Sequence, residues 1–298
     1  MTTNTKRKAR GKAKSTIFLE AEILEIVEAR NPITVRGVAY ALFTRGLIGD
    51  MNTNNTAKVS RVMTEMRECG SLDWTLIVDG SRAVDRISTW NNPSQIIAAA
   101  VRNYRRDYWQ DQNYLIEVWS EKSTVAGVLA PVLDEFGVTF RVMKGFGSFT
   151  SVRQAAEDSL EVPDGKQAVA LYIGDYDPSG LYMSELDIPA RLKRYGSRWR
   201  FERIAVLKTD TLHLPSFDAS TKSSDMRYQW FVEHFGTKCW ELDAIDPNDL
   251  RQRVRDQIET RLDLLAWEHA KRIEAVEVES MNDFHRAWNI RRAGGANA

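Results

Sequence analysis

Apolar residues recur at helical spacing in three segments at the start of this chain: 15–29, 34–47 and 56–68. In the third segment the apolar stripe follows the i, i+3, i+4, i+7 pattern: Val59, Val62, Met63 and Met66. Two short apolar runs follow, 74–78 and 83–87, with the turn dipeptide Asp79-Gly80 between them. The pattern predicts three helices and then a β-hairpin. A small helical domain that binds another protein is an alternative that composition leaves open.

The middle of the chain alternates short continuous apolar runs with helical patterns. The runs that predict strands are 114–121, 138–143, 168–173 and 201–207, and the helical patterns between them are 125–136, 150–160 and 181–195. A repeated strand-helix order requires right-handed crossovers, and these give a parallel sheet with helices on both faces. We therefore predict an α/β fold for this region.

The remaining segments are predicted to be helical or irregular. A linker over 89–94 precedes a helix over 95–107, and helical patterns return at 249–267 and 270–288. The last two patterns fit a helical buttress on the sheet, and a dimer contact is the alternative. The predicted organisation is a tail over 1–14, a helical domain over 15–90, a linker helix over 91–111, an α/β domain over 112–240 and C-terminal helices over 241–298.

Charge adds one feature to this organisation. The chain has 298 residues, and its 41 basic and 41 acidic residues cancel, but the tail over 6–14 is strongly basic and lacks large apolar residues. Such a tail is expected to be disordered and attracted to phosphates, although a solubilising terminus or an import signal is also compatible. No apolar stretch predicts a membrane span or a signal peptide, so we expect a cytoplasmic protein without a membrane partner.

Acidic residues stand at the ends of two predicted strands. Asp175 and Asp177 closely follow the apolar run 168–173, and Glu121 ends the run 114–121. Asp175 and Asp177 are two apart, so in extended backbone they project to one side, and close carboxylate oxygens suit Mg²⁺. Because the carboxyl ends of parallel strands share one edge of a sheet, we expect the three acids to converge. An acidic turn that only starts a helix is the alternative.

The sequence Glu121-Lys122, followed two strands later by Gly-Asp-x-Asp-Pro-x-Gly at 174–180, resembles the Toprim domain of topoisomerases, bacterial primases and certain nucleases. With Gly-x-Gly-Ser at 145–148 it is most similar to the topoisomerase VI A subunit and to the transesterase that makes meiotic double-strand breaks. The resemblance covers residues 113–207. It implies that Glu121, Asp175 and Asp177 bind Mg²⁺ or Mn²⁺ beside a catalytic Lys122. Glu117 is a weaker candidate for the first acid.

In that family a winged helix precedes the Toprim domain, and the predicted helices and hairpin fit one. The helix over 56–68 would then be the recognition helix for double-stranded DNA, through Lys58, Arg61 and Arg67. Arg36 stands four residues before Tyr40, as an arginine precedes the family's nucleophilic tyrosine, and this spacing places both side chains on one helix face. The family commonly has two adjacent tyrosines, whereas this chain has Ala39 before Tyr40.

The resemblance implies that Tyr40 attacks a DNA phosphate and forms a 5′-phosphotyrosyl link, with Arg36 on the phosphate. It also implies a homodimer and a separate ATPase subunit of the B type, because this chain has no nucleotide-binding signature of its own. A Tyr40 that only packs in the core would leave a Toprim nuclease that hydrolyses DNA with metal-activated water. A DNA-binding module with an inactive acidic site is a further alternative. We expect a nucleoid-associated protein of bacterial or phage origin.

Overall fold

The computed structural model describes residues 14–78, 88–143 and 149–295. The first of these ranges forms three helices and two short strands: α1 (Lys14–Arg30), β1 (Ile33–Thr34), α2 (Val35–Thr44), α3 (Thr53–Glu68) and β2 (Ile77–Val78). The helices share one core, in which Ile23, Val38 and Met63 are fully buried. The three helices predicted from apolar spacing are therefore confirmed.

Side-chain caps fix where two of these helices begin. The hydroxyl of Thr34 accepts a hydrogen bond from the backbone N–H of Gly37 at 2.9 Å, so α2 begins where the sequence predicts. The side chain of Asn52 accepts from the N–H of Asn55 at 2.9 Å. This cap starts α3 at Thr53, one turn earlier than the predicted Thr56.

The segment after α3 differs from the predicted first strand of a hairpin. Trp74–Leu76 is a single 3₁₀ turn that Asp73 caps, so only β2 is extended. β2 pairs in parallel with β1, with Ile33 opposite Ile77. The turn Asp79-Gly80 and the second predicted strand over 83–87 lie outside the described residues. The described part thus contains the helices of the predicted domain but no hairpin.

The middle of the chain forms a parallel sheet of four strands: β3 (Tyr114–Ser120), β4 (Thr139–Val142), β5 (Gln167–Ile173) and β6 (Arg200–Ala205). Their order in the sheet is β4-β3-β5-β6. The helices between and after them are α5 (Thr124–Phe136), α6 (Phe149–Leu160), α7 (Pro178–Tyr182) and α8 (Ile188–Arg194). The mixed α/β architecture with a parallel sheet is confirmed.

Alternate residues of the two central strands bury opposite faces of this sheet. On one face Val118 and Leu171 pack in the core that includes α5, and on the other Trp119 and Tyr172 pack in the core that includes α6 and α8. Burial on both faces explains why β3 and β5 are continuous apolar runs rather than alternating ones.

The segment predicted as one helix over 181–195 consists of three pieces. A π turn, Met183–Asp187, separates α7 from α8. Pro189 stands in the first turn of α8 and lacks the N–H that a continuous α-helix would need there. After β6 come a 3₁₀ turn at Asp210–Leu212 and then the antiparallel pair β7 (Phe217–Asp218) and β8 (Lys238–Cys239). Between these two strands lie a second 3₁₀ turn, Ala219–Lys222, and the helix α9 (Tyr228–Phe235). Helix α9 has no counterpart among the elements predicted from the sequence.

The remaining helices are α4 (Pro93–Asn103), α10 (Pro247–Glu259) and α11 (Leu264–Gly295). Asn92 caps α4, so this helix begins at Pro93, two residues before the predicted start at residue 95. The pattern over 249–267 divides at residues 260–263, so it forms α10 and the start of α11. Leu250 and Val254 of α10 are buried in the core beside α5, so the first of the two predicted buttress helices packs on this core.

α11 lies along α4, and acids of α11 pair with the segment after α4. Arg106 donates to the carboxylate of Glu277 at 2.7 Å, and the Tyr104 hydroxyl donates to the same carboxylate at 2.7 Å. The segment after α4 is therefore bound to α11 through its polar side chains. Within residues 14–78, 88–143 and 149–295, no helix has the length and apolar character that a membrane crossing requires.

Candidate functional site

The acidic residues of β3 and β5 lie at one edge of the sheet. These strands are hydrogen-bonded neighbours, and their last residues, Ser120 and Ile173, are directly paired. Glu121 follows the first strand and Gly174-Asp175 follows the second, so both acidic segments leave the same carboxyl edge. The topology thus brings together residues that are distant in the sequence.

Asp175 is held from two directions. One of its oxygens, Oδ1, accepts hydrogen bonds from Nζ of Lys122 and from the backbone N–H of Leu242, each at 2.8 Å. Burial raises the pKa of Asp175, Lys122 opposes this shift, and Asp177 adds to it. The charged form of Asp175 therefore depends on a neighbouring cation.

Asp177 combines a structural role with its position in the acidic loop. Its Oδ1 accepts the N–H of Gly180 at 2.7 Å and caps α7, while Oδ2 forms an ion pair with Nζ of Lys222. The residue is only 2% exposed. A Cβ at position 180 would overlap the carbonyl oxygen of Asp175, so this loop requires glycine there.

Glu121 is the least constrained of the three acids. Its side chain is half-buried, and no hydrogen bond joins its carboxylate to another described residue. Burial raises the pKa of Glu121, and the charges of Asp175 and Asp177 raise it further. Because the three carboxylates influence one another's charge, Glu121, Asp175 and Asp177 are called the acid cluster below.

The acid cluster suits a divalent cation by its donor chemistry, because carboxylate oxygens are hard ligands and their repulsion would be relieved by positive charge. In the described part of the chain, however, no three acidic, histidine or cysteine side chains stand in an arrangement that could hold a metal ion. The ammonium groups of Lys122 and Lys222 instead neutralise Asp175 and Asp177. A cation would therefore have to compete with at least one lysine.

A second acidic segment, Glu241 to Asp243, lies beside the acid cluster and was not predicted from the sequence. Asp243, in the 3₁₀ turn Leu242–Ala244, accepts from Lys122 at 2.9 Å and from the hydroxyl of Thr34 at 2.9 Å. Lys122 thus bridges Asp175 and Asp243, and these two charges raise its pKa even though burial opposes the charged form. The sequence contains one indication of this second acidic segment. Glu241 and Asp243 have the same spacing as Asp175 and Asp177, although the apolar run before them is much shorter.

Arg36 and Tyr40 share one face of α2, as their spacing predicts. The guanidinium of Arg36 is 5.9 Å from the centre of the Tyr40 ring, and it forms a two-point ion pair with Glu241, one contact being 2.5 Å. Tyr40 is 4% exposed. Burial raises its pKa, Glu241 raises it further, and Arg36 opposes the shift. Tyr40 is thus a buried, protonated phenol, and the fork of Arg36 is occupied by a carboxylate.

Two clefts meet at the Arg36–Glu241 pair. One has a volume of about 600 Å³, and its walls include Tyr40, Lys222 and the start of α3. The other is lined by Lys122, Asp175 and Asp243 together with residues of α3. Asp175 and Tyr40 therefore line clefts at the junction between the helical unit and the sheet.

The three predicted DNA contacts do not share one surface. Lys58 and Arg61 are exposed on α3, as expected. Arg67 is only 8% exposed, because its guanidinium lies 4.7 Å from the Trp74 ring centre and its Nε donates to the carbonyl of Met63. Arg67 is therefore not on an exposed face of α3, as its predicted availability to DNA requires, and it instead lines the cleft that contains Asp175.

Glu117, the weaker candidate for the first acid, lies within β3 rather than at its end. Its carboxylate is buried and accepts two hydrogen bonds from Arg141, at 2.7 and 2.9 Å, and one from the Trp119 indole. Asp210, which follows β6, is bound by Arg253 through two bonds of 2.8 Å. Both acids therefore have structural partners.

Comparison with known protein families, with curated proteins and with solved structures gives no match for this chain. The family resemblance, the winged helix, the Toprim domain, the domain boundaries and the homodimer consequently stay predictions.

Proposed function

We propose that this protein cleaves phosphodiester bonds of double-stranded DNA with Mg²⁺ or Mn²⁺ held by Glu121, Asp175 and Asp177. The observation that carries this proposal is the convergence of the three mutually repelling carboxylates at the carboxyl edge of a parallel sheet, next to a cleft. In this proposal the sheet domain is a Toprim domain of the topoisomerase VI A type, and α1 to α3 belong to a winged helix.

A bound cation would polarise the scissile phosphate and stabilise the leaving 3′ oxygen. Lys122 holds Asp175 in place and keeps its own charge in a buried position, from which it can neutralise an approaching phosphate. The exposed Lys58 and Arg61 would hold the DNA backbone without reading its sequence. The acids and the basic helix face thus have separate tasks.

Transesterification is the first mechanism that we propose. Tyr40 would attack the phosphorus, lose its proton, and form a 5′-phosphotyrosyl bond as the 3′ oxygen leaves with a proton. Glu241 is the carboxylate next to Tyr40 and is suited to accept the phenolic proton, while Arg36 would turn from Glu241 to the phosphate. Resealing with strand passage would further need a homodimer and an ATPase subunit of the B type.

Hydrolysis is the second mechanism, and the burial of Tyr40 favours it. A phenol that is 4% exposed and whose pKa is raised is a poor nucleophile unless the helical unit moves. Water attack at the same acid cluster would need no such movement.

A DNA-binding module with an inactive acidic site is favoured by the ion pairs of Lys122 and Lys222 with two of the three acids.

Cleavage of supercoiled plasmid tests the role of the acid cluster. With Mg²⁺ or Mn²⁺ we expect nicked or linear DNA from the wild type, and a loss of at least about 100-fold in Asp175→Asn and Asp177→Asn, since each removes a ligand charge. Asp164→Asn is the matched control, because Asp164 is exposed and precedes β5 at the opposite edge of the sheet. Full cleavage by both cluster variants would refute the metal assignment, and an inert wild type would favour the DNA-binding module.

Denaturation during cleavage separates the two chemical mechanisms. Transesterification predicts protein joined to DNA 5′ ends after detergent treatment, and complete loss of this adduct and of cleavage in Tyr40→Phe. Tyr114→Phe is the control, because Tyr114 begins β3 at the far edge of the sheet. Free DNA ends together with continued cleavage by Tyr40→Phe would establish hydrolysis instead.

A further inference from the structure

A buried tyrosine hydroxyl without a partner lies behind the acid cluster. Tyr172 belongs to β5 and has no exposed surface. Its ring packs 5.2 Å from the Phe201 ring, and the guanidinium of Arg203 lies 5.6 Å from its centre. The hydroxyl oxygen makes no hydrogen bond to any described residue. Such a group has lost its hydration without any replacement, which destabilises the folded chain.

The backbone of the acidic loop locates this hydroxyl. A Cβ on Gly174 would lie only 2.8 Å from the Tyr172 oxygen, so the hydroxyl rests against the residue that precedes Asp175. Arg203 donates to the carbonyl oxygens of Gly174 and Asp175, at 2.7 and 2.5 Å, and so fixes the loop around the hydroxyl. The unpaired group is therefore directed at the acidic edge and not into an apolar part of the core.

Two unpaired polar groups thus face the same small region. Glu121 directly follows β3, and Trp119 of this strand is the register partner of Tyr172 on the neighbouring strand β5. Glu121 is also the one acid of the cluster to which no described residue donates a hydrogen bond. Its side chain has three rotatable bonds and is only half-buried, so its carboxylate can turn. A phenol donates one hydrogen bond and a carboxylate accepts several, so the two groups are complementary.

We propose that Tyr172 is a positioning residue of the acid cluster, whose hydroxyl donates a hydrogen bond to the Glu121 carboxylate, directly or through one buried water, when the three acids hold a divalent cation. This inference rests on the cation site of the proposed function. It explains why a tyrosine occupies a buried position where phenylalanine would pack equally well without an unpaired oxygen. Hydrogen bonds to metal-binding side chains commonly orient the ligand and increase its affinity for the cation.

Binding of Mn²⁺ to the full chain without DNA tests the inference. Free Mn²⁺ is measured by electron paramagnetic resonance during titration of the wild type, Tyr172→Phe and the control Tyr114→Phe. We expect Tyr172→Phe to bind Mn²⁺ about 10–100-fold more weakly, the range typical for loss of a hydrogen bond to a metal ligand. In EDTA its melting temperature should equal or exceed that of the wild type, because the lost hydroxyl has no partner there.

A double-mutant cycle makes the test specific to Glu121. In a Glu121→Gln background the further change Tyr172→Phe should leave Mn²⁺ affinity within about twofold, because the acceptor carboxylate is already absent. Equal affinity of Tyr172→Phe and wild type, or an undiminished effect in the Glu121→Gln background, would overturn the inference while leaving the proposed function intact. A wild type that binds no Mn²⁺ would reject the cation site itself, and with it both proposals.

Discussion

Replacing Lys222 by methionine tests whether a lysine occupies the place of a cation in the acid cluster. Lys222 ends the 3₁₀ turn Ala219–Lys222, and its ammonium forms an ion pair with Asp177, whose side chain is 3% exposed. Methionine keeps an unbranched side chain of similar length but has no charge. The substitution therefore removes the ammonium group and leaves a buried carboxylate beside Asp175 and Glu121.

The magnitude follows from the exposure of the two partners. Removing one partner from a fully buried ion pair costs about 3–5 kcal/mol. The Lys222 side chain is 33% exposed, so solvent screening reduces the expected loss of unfolding free energy to about 1–2 kcal/mol. A cation that binds the variant no longer has to displace the ammonium. It should therefore bind Lys222→Met about 5–30-fold more tightly, which is the same free energy expressed as an equilibrium ratio.

Thermal melts and Mn²⁺ titrations of the same samples measure both effects. In EDTA we expect Lys222→Met to melt about 2–6 °C below the wild type, and in saturating Mn²⁺ we expect this difference to vanish. Lys208→Met is the control, since Lys208 is exposed and no ion pair involves it in the described chain. Weaker Mn²⁺ binding by Lys222→Met would show that Lys222 orders the loop rather than competing with the cation.

Three further changes test the charge arrangement. Glu121→Gln should stabilise the cation-free protein at pH 7, because burial, and then Asp175 and Asp177, raise the pKa of Glu121. In urea unfolding at different pH values, this gain in unfolding free energy should disappear below about pH 4.5, where the carboxyl group is protonated in both the folded and the unfolded state. Arg61→Gln should weaken binding to duplex DNA at low salt and reduce the slope of log affinity against log salt by about one. Arg67→Gln should instead lower the melting temperature and leave that slope unchanged, because Arg67 is buried; a changed slope would contradict this.

The sheet could be predicted from the sequence because its two central strands are buried on both faces. Residues 114–120 and 167–173 are almost continuous apolar runs, and the helical segments between the strands leave a parallel arrangement as the simplest topology. The convergence of Glu121 with Asp175 follows from that topology alone. The acid cluster could therefore be predicted from the local sequence pattern together with the order of the strands.

The residues that pair with these acids could not be predicted in this way. Lys222 pairs with Asp177, and Asp243 pairs with Lys122. Lys222 and Asp243 both stand in short 3₁₀ turns, close to two-residue strands, where the sequence has no periodic pattern. The burial of Arg67, in contrast, could have been predicted from the sequence. Arg67 follows Met63 by four residues, and that spacing places it next to the buried stripe of α3, where Trp74 covers it.

The acidic edge of the sheet is also the contact between the two halves of the molecule. Thr34 caps α2 and donates to Asp243, which shares Lys122 with Asp175, so the start of α2 is joined to the acid cluster through two side chains. Arg36 on the same helix is bound to Glu241, two residues before Asp243. A cation that withdraws Asp175 from Lys122 would leave the lysine with Asp243 alone. We therefore expect the position of α2, and of Tyr40 on it, to respond to the charge state of the acid cluster.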